Sequence, residues 1–260
     1  MAELITRKEK AVGWVIFSNP AKFNAVSQEM WMALPQSIAA FDADPEVRVI
    51  VITGDGDKAF ISGADISQFD KAHGSAEAHA IYDRAVVSAY EAPVHCSKPV
   101  IAKIRGFCMG GGLGLAAACD VRIAAEDAVF WMPAARLGLG YNFPGVARFV
   151  QLLGAANTSD IFFSARKFSA ADAFGMGFVN RVVPVADLER EVEAYCALIA
   201  DNAPLTMSAA KFAIRQTGLD PGVRDLEQVV RMVEACFDSE DFQEGQRAFA
   251  EKRRPKFTGK

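Results

Sequence analysis

The chain has 260 residues, 51% of them hydrophobic, and a formal net charge of −4 at pH 7, so it can bury a substantial core as one domain or as one domain with an appendage. Lys and Arg are scattered, and the short EKRRPK near the C-terminus is the densest basic run, which leaves no electrostatic footprint for nucleic acid. Five cysteines, odd in number and without a CxxC pair, speak against a disulfide framework or a zinc site; the start lacks an apolar h-region and no window approaches ~18 uncharged apolar residues, so the expected setting is the cytoplasm and no membrane partner is expected.

In chain order, residues 4–7 and 11–18 are two β-type runs around a charged turn at Glu9 and Lys10, a hairpin with Trp14 and Ile16 as candidates for its buried face. Asn19-Pro20 breaks the second run. Ser27 then serves as an N-cap, with Met30, Trp31, Leu34, Ile38 and Phe41 at helical spacing behind it and a kink or break expected at Pro35. Residues 47–53 form a β-branched strand ended by the polar turn GDGDK. The run AFISGADISQF opens into a loop where Gly63 and Ala64 leave the backbone unshielded. A helix is expected over 75–92, with His73, His79 and His95 read as surface residues.

The stretch over residues 98–120, KPVIAKIRGFCMGGGLGLAAACD, reads as strand, tight turn and helix. Three successive glycines let N–H groups at the start of the helix approach a ligand closely, and such groups bind negative charge. Three readings remain open: a phosphate site, an oxyanion hole, or close helix–strand packing alone. A dinucleotide fingerprint would need GxGxxG, and counting from Gly110 its third glycine is Leu115.

Beyond it, residues 121–125 and 128–131 read as two short strands, 132–145 as a Gly- and Pro-bearing loop, and 178–183 as a strand among helices. The tail over 205–249 is helical. The pattern is an α/β body with an all-helical end.

Several segments, taken in order, carry a resemblance to the crotonase family, the enoyl-CoA hydratase and isomerase superfamily, over nearly the full length. They are NPAKFNAVS, the ISGADI loop, KPVIAKIRGFCMGGG, the pair Cys119–Asp120, the PxxxLGL loop from Pro133, FSAADAFGMGFVNRVVP and the closing DFQEGQRAFAEKRRPKF. The resemblance implies an α/β fold, a crotonase-like spiral of ββα units over 1–200 with a helical trimerisation region over 201–260. It also implies trimers or pairs of trimers that bind acyl-CoA thioesters, with coenzyme A as part of the substrate and no separate cofactor. Ala64 and Gly111 match the family positions whose N–H groups form the oxyanion hole, with Gly110, Asp65 and Ile66 beside them. Lys22 and Lys252 of a neighbouring subunit are implied to contact the nucleotide end of coenzyme A; their bland alternative is a solvated lysine.

Family hydratases carry two glutamates that activate water, and at the matching positions this chain has Gly114 and Ala134. An ordinary two-glutamate hydration cannot be assumed, because a positioned acid or base contributes on the order of 10²–10⁴ in rate. Decarboxylation of a malonyl-type thioester needs only the hole, since loss of CO₂ generates the enolate, and a glutamate beside the substrate carboxylate would repel it. YNFPG resembles the corresponding loop of bacterial methylmalonyl-CoA decarboxylases, implying that Tyr141 holds the carboxylate or protonates the product. Those decarboxylases differ by a histidine where Ala64 stands. Arg136 could meet a substrate carboxylate, though a surface salt bridge is the plainer expectation; Asp65 and Asp120 are read as structural. Decarboxylation is the leading reading, beside a hydratase or isomerase with a different acid–base group and a non-catalytic acyl-CoA-binding relative.

Overall fold

The computed structural model describes residues 2–65 and 76–260. β1 (Glu3–Glu9) and β2 (Val12–Ser18) pair antiparallel with Arg7 opposite Trp14, and Lys10 turns between them at φ 53°. From β2 the sheet continues with parallel strands β3 (Val49–Gly54), β5 (Val100–Ile104) and β7 (Val121–Ala125), closing on β10 (Arg181–Val183), in the order β1-β2-β3-β5-β7-β10. The unbroken VIVIT run of β3 is buried on both faces, as a central parallel strand requires. Ile50 and Ile52 join the main core on one face, while Val49 and Val51 pack with Leu188, Val192 and Cys196 on the other.

A second, four-stranded sheet runs β4 (Ala59–Ile61), β6 (Phe107–Met109), β8 (Val129–Trp131) and β9 (Lys167–Ser169), the first three parallel. The chain visits one sheet, crosses to the other and returns through a helix: β3, β4 and α2 (Ala76–His95), then β5, β6 and α3 (Gly111–Ala118), then β7, β8 and the short α4 (Ala134–Leu137). This is the spiral of ββα units that the sequence led one to expect. The strands β6 and β9 are three residues each, too short to stand out in the sequence.

α1 (Gln28–Ala43) is capped by the Ser27 side chain and buries Met30, Trp31, Leu34 and Ile38. Pro35 does not break the helix, which continues through it to Ala43. Proline removes the one bond its N–H would have made to the Trp31 carbonyl, and the buried stripe on both sides holds the two halves in place. The region 132–145 is not a plain loop, since it contains α4 and the start of α5 (Phe143–Ser164), which is interrupted at Gly154. The strand expected over 178–183 shrinks to Arg181–Val183. Phe178 and Val179 instead donate their N–H groups to the Ala173 carbonyl, closing the end of α6 (Ala170–Gly175).

α7 (Leu188–Ala200) covers the outer face of the large sheet, and the tail forms α8 (Pro204–Thr217), α9 (Leu226–Phe237) and α10 (Glu240–Ala250). Lys211 on α8 ties the tail to the core through Asp120 at 2.6 Å, and Asp120 also accepts from the Val100 N–H at 2.7 Å, which makes it a structural residue. α9 is amphipathic yet buries none of its residues within the chain; Leu226, Val230 and Phe237 are exposed. No helix among the described residues is long and apolar enough to cross a membrane.

Candidate active site at the glycine turn

The NPAKFNAVS segment is the frame of one half of the site. Asn24 has φ 57° and donates through Nδ2 to the carbonyls of Asp55 (2.9 Å) and Ala59 (2.8 Å), while its Oδ1 accepts from the Asn19 N–H. These bonds lay Val26 beside the loop after β4. The Val26 N–H donates to Gly63 O and the Asp65 N–H donates to Val26 O, both at 2.9 Å, a parallel bridge centred on Ala64. In such a bridge the flanking residues make the bonds, so the N–H of Ala64 itself points to the opposite edge, towards β6.

The other half stands on that edge. Ile61 of β4 pairs with Cys108 of β6, and Ala64 and Gly111 each follow three residues later, at the C-terminal ends of adjacent parallel strands. Ligand sites of open α/β sheets gather at such ends. Gly110 turns the chain with φ 49° and ψ −113°, a conformation that favours glycine, and its N–H is committed to the Trp131 carbonyl at 2.8 Å. Gly110 therefore shapes the turn and is not a donor to a ligand. A side-chain carbon at Gly110 would lie 3.9 Å from the Gly63 Cα, so the two loops meet. Gly111 opens α3, where the first N–H groups have no partner within the helix. Two N–H groups on facing loops can hold a carbonyl oxygen as it gains negative charge.

The ceiling is aromatic. A Cβ on Gly111 would come 3.0 Å from Trp31 Cζ2, and Tyr90 donates its hydroxyl proton to the Gly111 carbonyl at 3.1 Å. Tyr141, from the loop after α4, meets Phe162 edge-on at 5.2 Å and buries its hydroxyl without a hydrogen-bond partner in ordinary geometry. Burial pushes Tyr141 up to about 12, with the nearby Tyr90 hydroxyl drawing it back, and burial raises Tyr90 well above the ordinary tyrosine range. Tyr141 is thus a neutral phenol at physiological pH. An unfolded tyrosine titrates near 10, so between about pH 10 and pH 12 the folded chain keeps a proton that the unfolded chain has lost. Stability from this group is full below pH 10 and falls as pH rises towards 12. Urea midpoints are expected to drop above about pH 10, and to drop less in Tyr141→Phe.

Other sequence candidates fall at the margins. Lys22 meets Asp65 at 2.8 and 3.1 Å, with the Asp65 side chain buried beside Val26, so Asp65 has the structural setting expected of it. Arg136 is exposed on α4 and makes no ion pair among the described residues, so the surface salt bridge expected of it is not formed. Lys252 is exposed in the C-terminal segment at φ 56°. Ile66 and His73 lie outside the described residues. His79 pairs with Asp83 on the exposed face of α2, and His95 contacts the Glu91 carbonyl, both as surface residues. The sequence reading passed over Tyr90, which looks like one more apolar residue of a helix; only the fold brings it over Gly111.

The sequence matches the description Enoyl-CoA hydratase/isomerase over residues 7–260. The chain belongs to this family. It is 33% identical to a crotonyl-CoA hydratase of Syntrophomonas wolfei, over 99% of this chain and 98% of that one. It is 34% identical to a carnitinyl-CoA dehydratase of Salmonella typhi, over 92% of each. Among solved structures, one described as an enoyl-CoA hydratase/carnithine racemase from Magnetospirillum magneticum superposes with a TM-score of 0.95 at 33% identity, covering 100% of this chain and 97% of that one. As a member of the enoyl-CoA hydratase/isomerase family, the chain is a crotonase-fold enzyme of acyl-CoA chemistry. Against the family pattern, both positions of the hydratase glutamates hold residues that cannot ionise: Gly114 lies on the buried face of α3 and Ala134 opens α4, also buried.

Proposed function

We propose that this enzyme stabilises the enolate of a coenzyme A thioester between the N–H groups of Ala64 and Gly111, and that its reaction is decarboxylation of a short malonyl-type acyl-CoA. One observation carries the reading: the family's two backbone donors are kept while both of its water-activating carboxylates are gone. With the thioester oxygen at the two N–H groups, the bond from Cα to the carboxylate breaks, CO₂ leaves, and the electron pair moves onto the thioester. No base takes part. An anionic side chain at 114 or 134 would oppose binding of the substrate's own carboxylate. Arg136 on α4 is available to meet that carboxylate. The proton that completes the product comes from Tyr141.

The names of the relatives favour a second reading, hydration or isomerisation of an enoyl-CoA with Tyr141 as the acid in place of a glutamate. A non-catalytic acyl-CoA-binding protein is the third. Incubation with methylmalonyl-CoA and with crotonyl-CoA separates them. CO₂ release without loss of enoyl absorbance is the expected result; consumption of crotonyl-CoA alone would replace the first reading by the second, and inertness towards both would favour the third.

The same reading gives Lys22, Asp65 and Ile66, together with Lys252 of a neighbouring subunit, the nucleotide end of coenzyme A. It takes residues 201–260 as the assembly region of a homotrimer or pair of trimers, in which the exposed apolar stripe of α9 is covered.

A further inference from the structure

The Tyr141 hydroxyl lies against α3, 2.8 Å from where a Cβ on Gly114 would stand, and no hydrogen bond holds it there. Its place is therefore set by carbon contacts on the ring. Phe162 meets the ring edge-on at 5.2 Å and is itself edge-on to the buried Phe149 at 5.4 Å. Gly145, in the first turn of α5, meets it by having no side chain: a Cβ there would come 2.6 Å from Tyr141 Cε1 and 2.9 Å from Cδ1.

Both contacts depend on glycines of α5. Gly145 has no positive φ, so alanine, the better helix residue, would suit its backbone; what a side chain would take away is the room for the Tyr141 ring. Asn142 caps the helix by accepting from the Gly145 N–H at 3.0 Å, which fixes residue 145 relative to the tyrosine just before the cap. Gly154 makes the other contact. In a straight helix the rise from Phe143 to Phe162 would be about 28 Å. At Gly154 φ is 73° and ψ 165°, the helix breaks, and Phe162 comes back to the ring at its start.

We propose that Gly145 is a positioning residue for Tyr141. Together with Phe162, returned by the break at Gly154, it holds the phenol by carbon contacts alone, so the phenol proton is spent on no internal bond and stays available to a ligand. The proposal rests on the proton-donor role given to Tyr141 above. In that step the Tyr141 O–H bond breaks, a C–H bond forms at the enolate Cα as the thioester carbonyl is restored, and the phenolate takes a proton from water. A ring placed by packing is sensitive to packing, and a shift of ~1 Å in a reacting group costs about 10²-fold in rate.

The test uses the intact protein with Tyr141→Phe, Gly145→Ala, Phe162→Leu and the double variant Gly145→Ala/Tyr141→Phe. The chain has four tyrosines, so labelling them with ¹³C at Cζ gives four resonances, and Tyr141→Phe identifies one. In the wild type, saturating acetyl-CoA is expected to shift the Tyr141 resonance as its O–H finds an acceptor. In Gly145→Ala that shift should fall by more than half, with little change in melting temperature. In CO₂ release from methylmalonyl-CoA, kcat should fall about 10²-fold in Tyr141→Phe and by a similar factor in Gly145→Ala, with a far smaller change in KM. The double variant should stay within about twofold of Tyr141→Phe, because a ring without its hydroxyl has no proton to misplace. Phe162→Leu leaves the first turn of α5 untouched and should show the same losses, which keeps the test open if Gly145→Ala does not fold. A wild-type Tyr141 shift and turnover in Gly145→Ala, or losses that multiply in the double variant, would overturn the proposal. A shift lost in Gly145→Ala beside a wild type that releases no CO₂ would uphold the positioning role and overturn decarboxylation. CO₂ release by a wild type whose Tyr141 resonance ignores acetyl-CoA would do the reverse. Failure of the wild type to bind acetyl-CoA would overturn both.

Discussion

Ala64→Pro is expected to lower turnover about 10²–10³-fold, ~3–4 kcal/mol of lost transition-state stabilisation, while leaving the chain folded. The substitution is selective because of how the loop is held. The bonds that fix Ala64 run through its neighbours, Gly63 O and Asp65 N, so a proline at 64 removes an N–H that no internal bond uses. Ala64→Gly, which keeps the N–H, should retain turnover. Steady-state rates beside the melting temperature of each variant make the comparison. A proline variant as active as the wild type would remove Ala64 from the site.

The second large effect is on the scaffold. Gly112→Ala should destabilise the protein by about 3 kcal/mol, roughly 6–12 °C in melting temperature, and abolish activity in what remains folded. A Cβ at 112 would stand 2.5 Å from the Ile61 carbonyl oxygen and 2.6 Å from the Ile61 Cβ, atoms that move only with the backbone of β4. Relief requires α3 to shift away from β4, which separates Gly111 from Ala64. Two positions further along the same helix the loss should be smaller, because at Gly114 the obstacles are the Tyr90 and Tyr141 hydroxyls and the Tyr90 Cζ, side-chain atoms rather than backbone. Calorimetry on the two alanine variants checks the contrast, and equal stability losses would refute it.

The contrast also marks what the sequence could and could not convey. The glycine triplet, the bare Gly63–Ala64 loop and the Ser27 cap are local patterns, and each appears in the fold where the sequence placed it. The absence of carboxylates at 114 and 134 was likewise legible, as a departure at two known positions. What fills the vacated space was not, since Tyr90, Gly114, Tyr141 and Gly145 lie on α2, α3, a loop and α5 and meet only after packing. The run over 178–183 misled for a related reason. Its apolar residues suit a strand, but the end of α6 competes for the Phe178 and Val179 N–H groups and wins. At Pro35 local propensity argued for a break, and the buried stripe of α1 overrode it.

The central claim is that two backbone donors polarise a thioester carbonyl at the glycine turn. Difference infrared spectroscopy of carbonyl-¹³C acetyl-CoA bound to the enzyme tests it most directly. The carbonyl stretch is expected to move to lower frequency than in water and to return towards the free value in Ala64→Pro. A bound carbonyl that absorbs where the free thioester does, in both proteins, would contradict the claim.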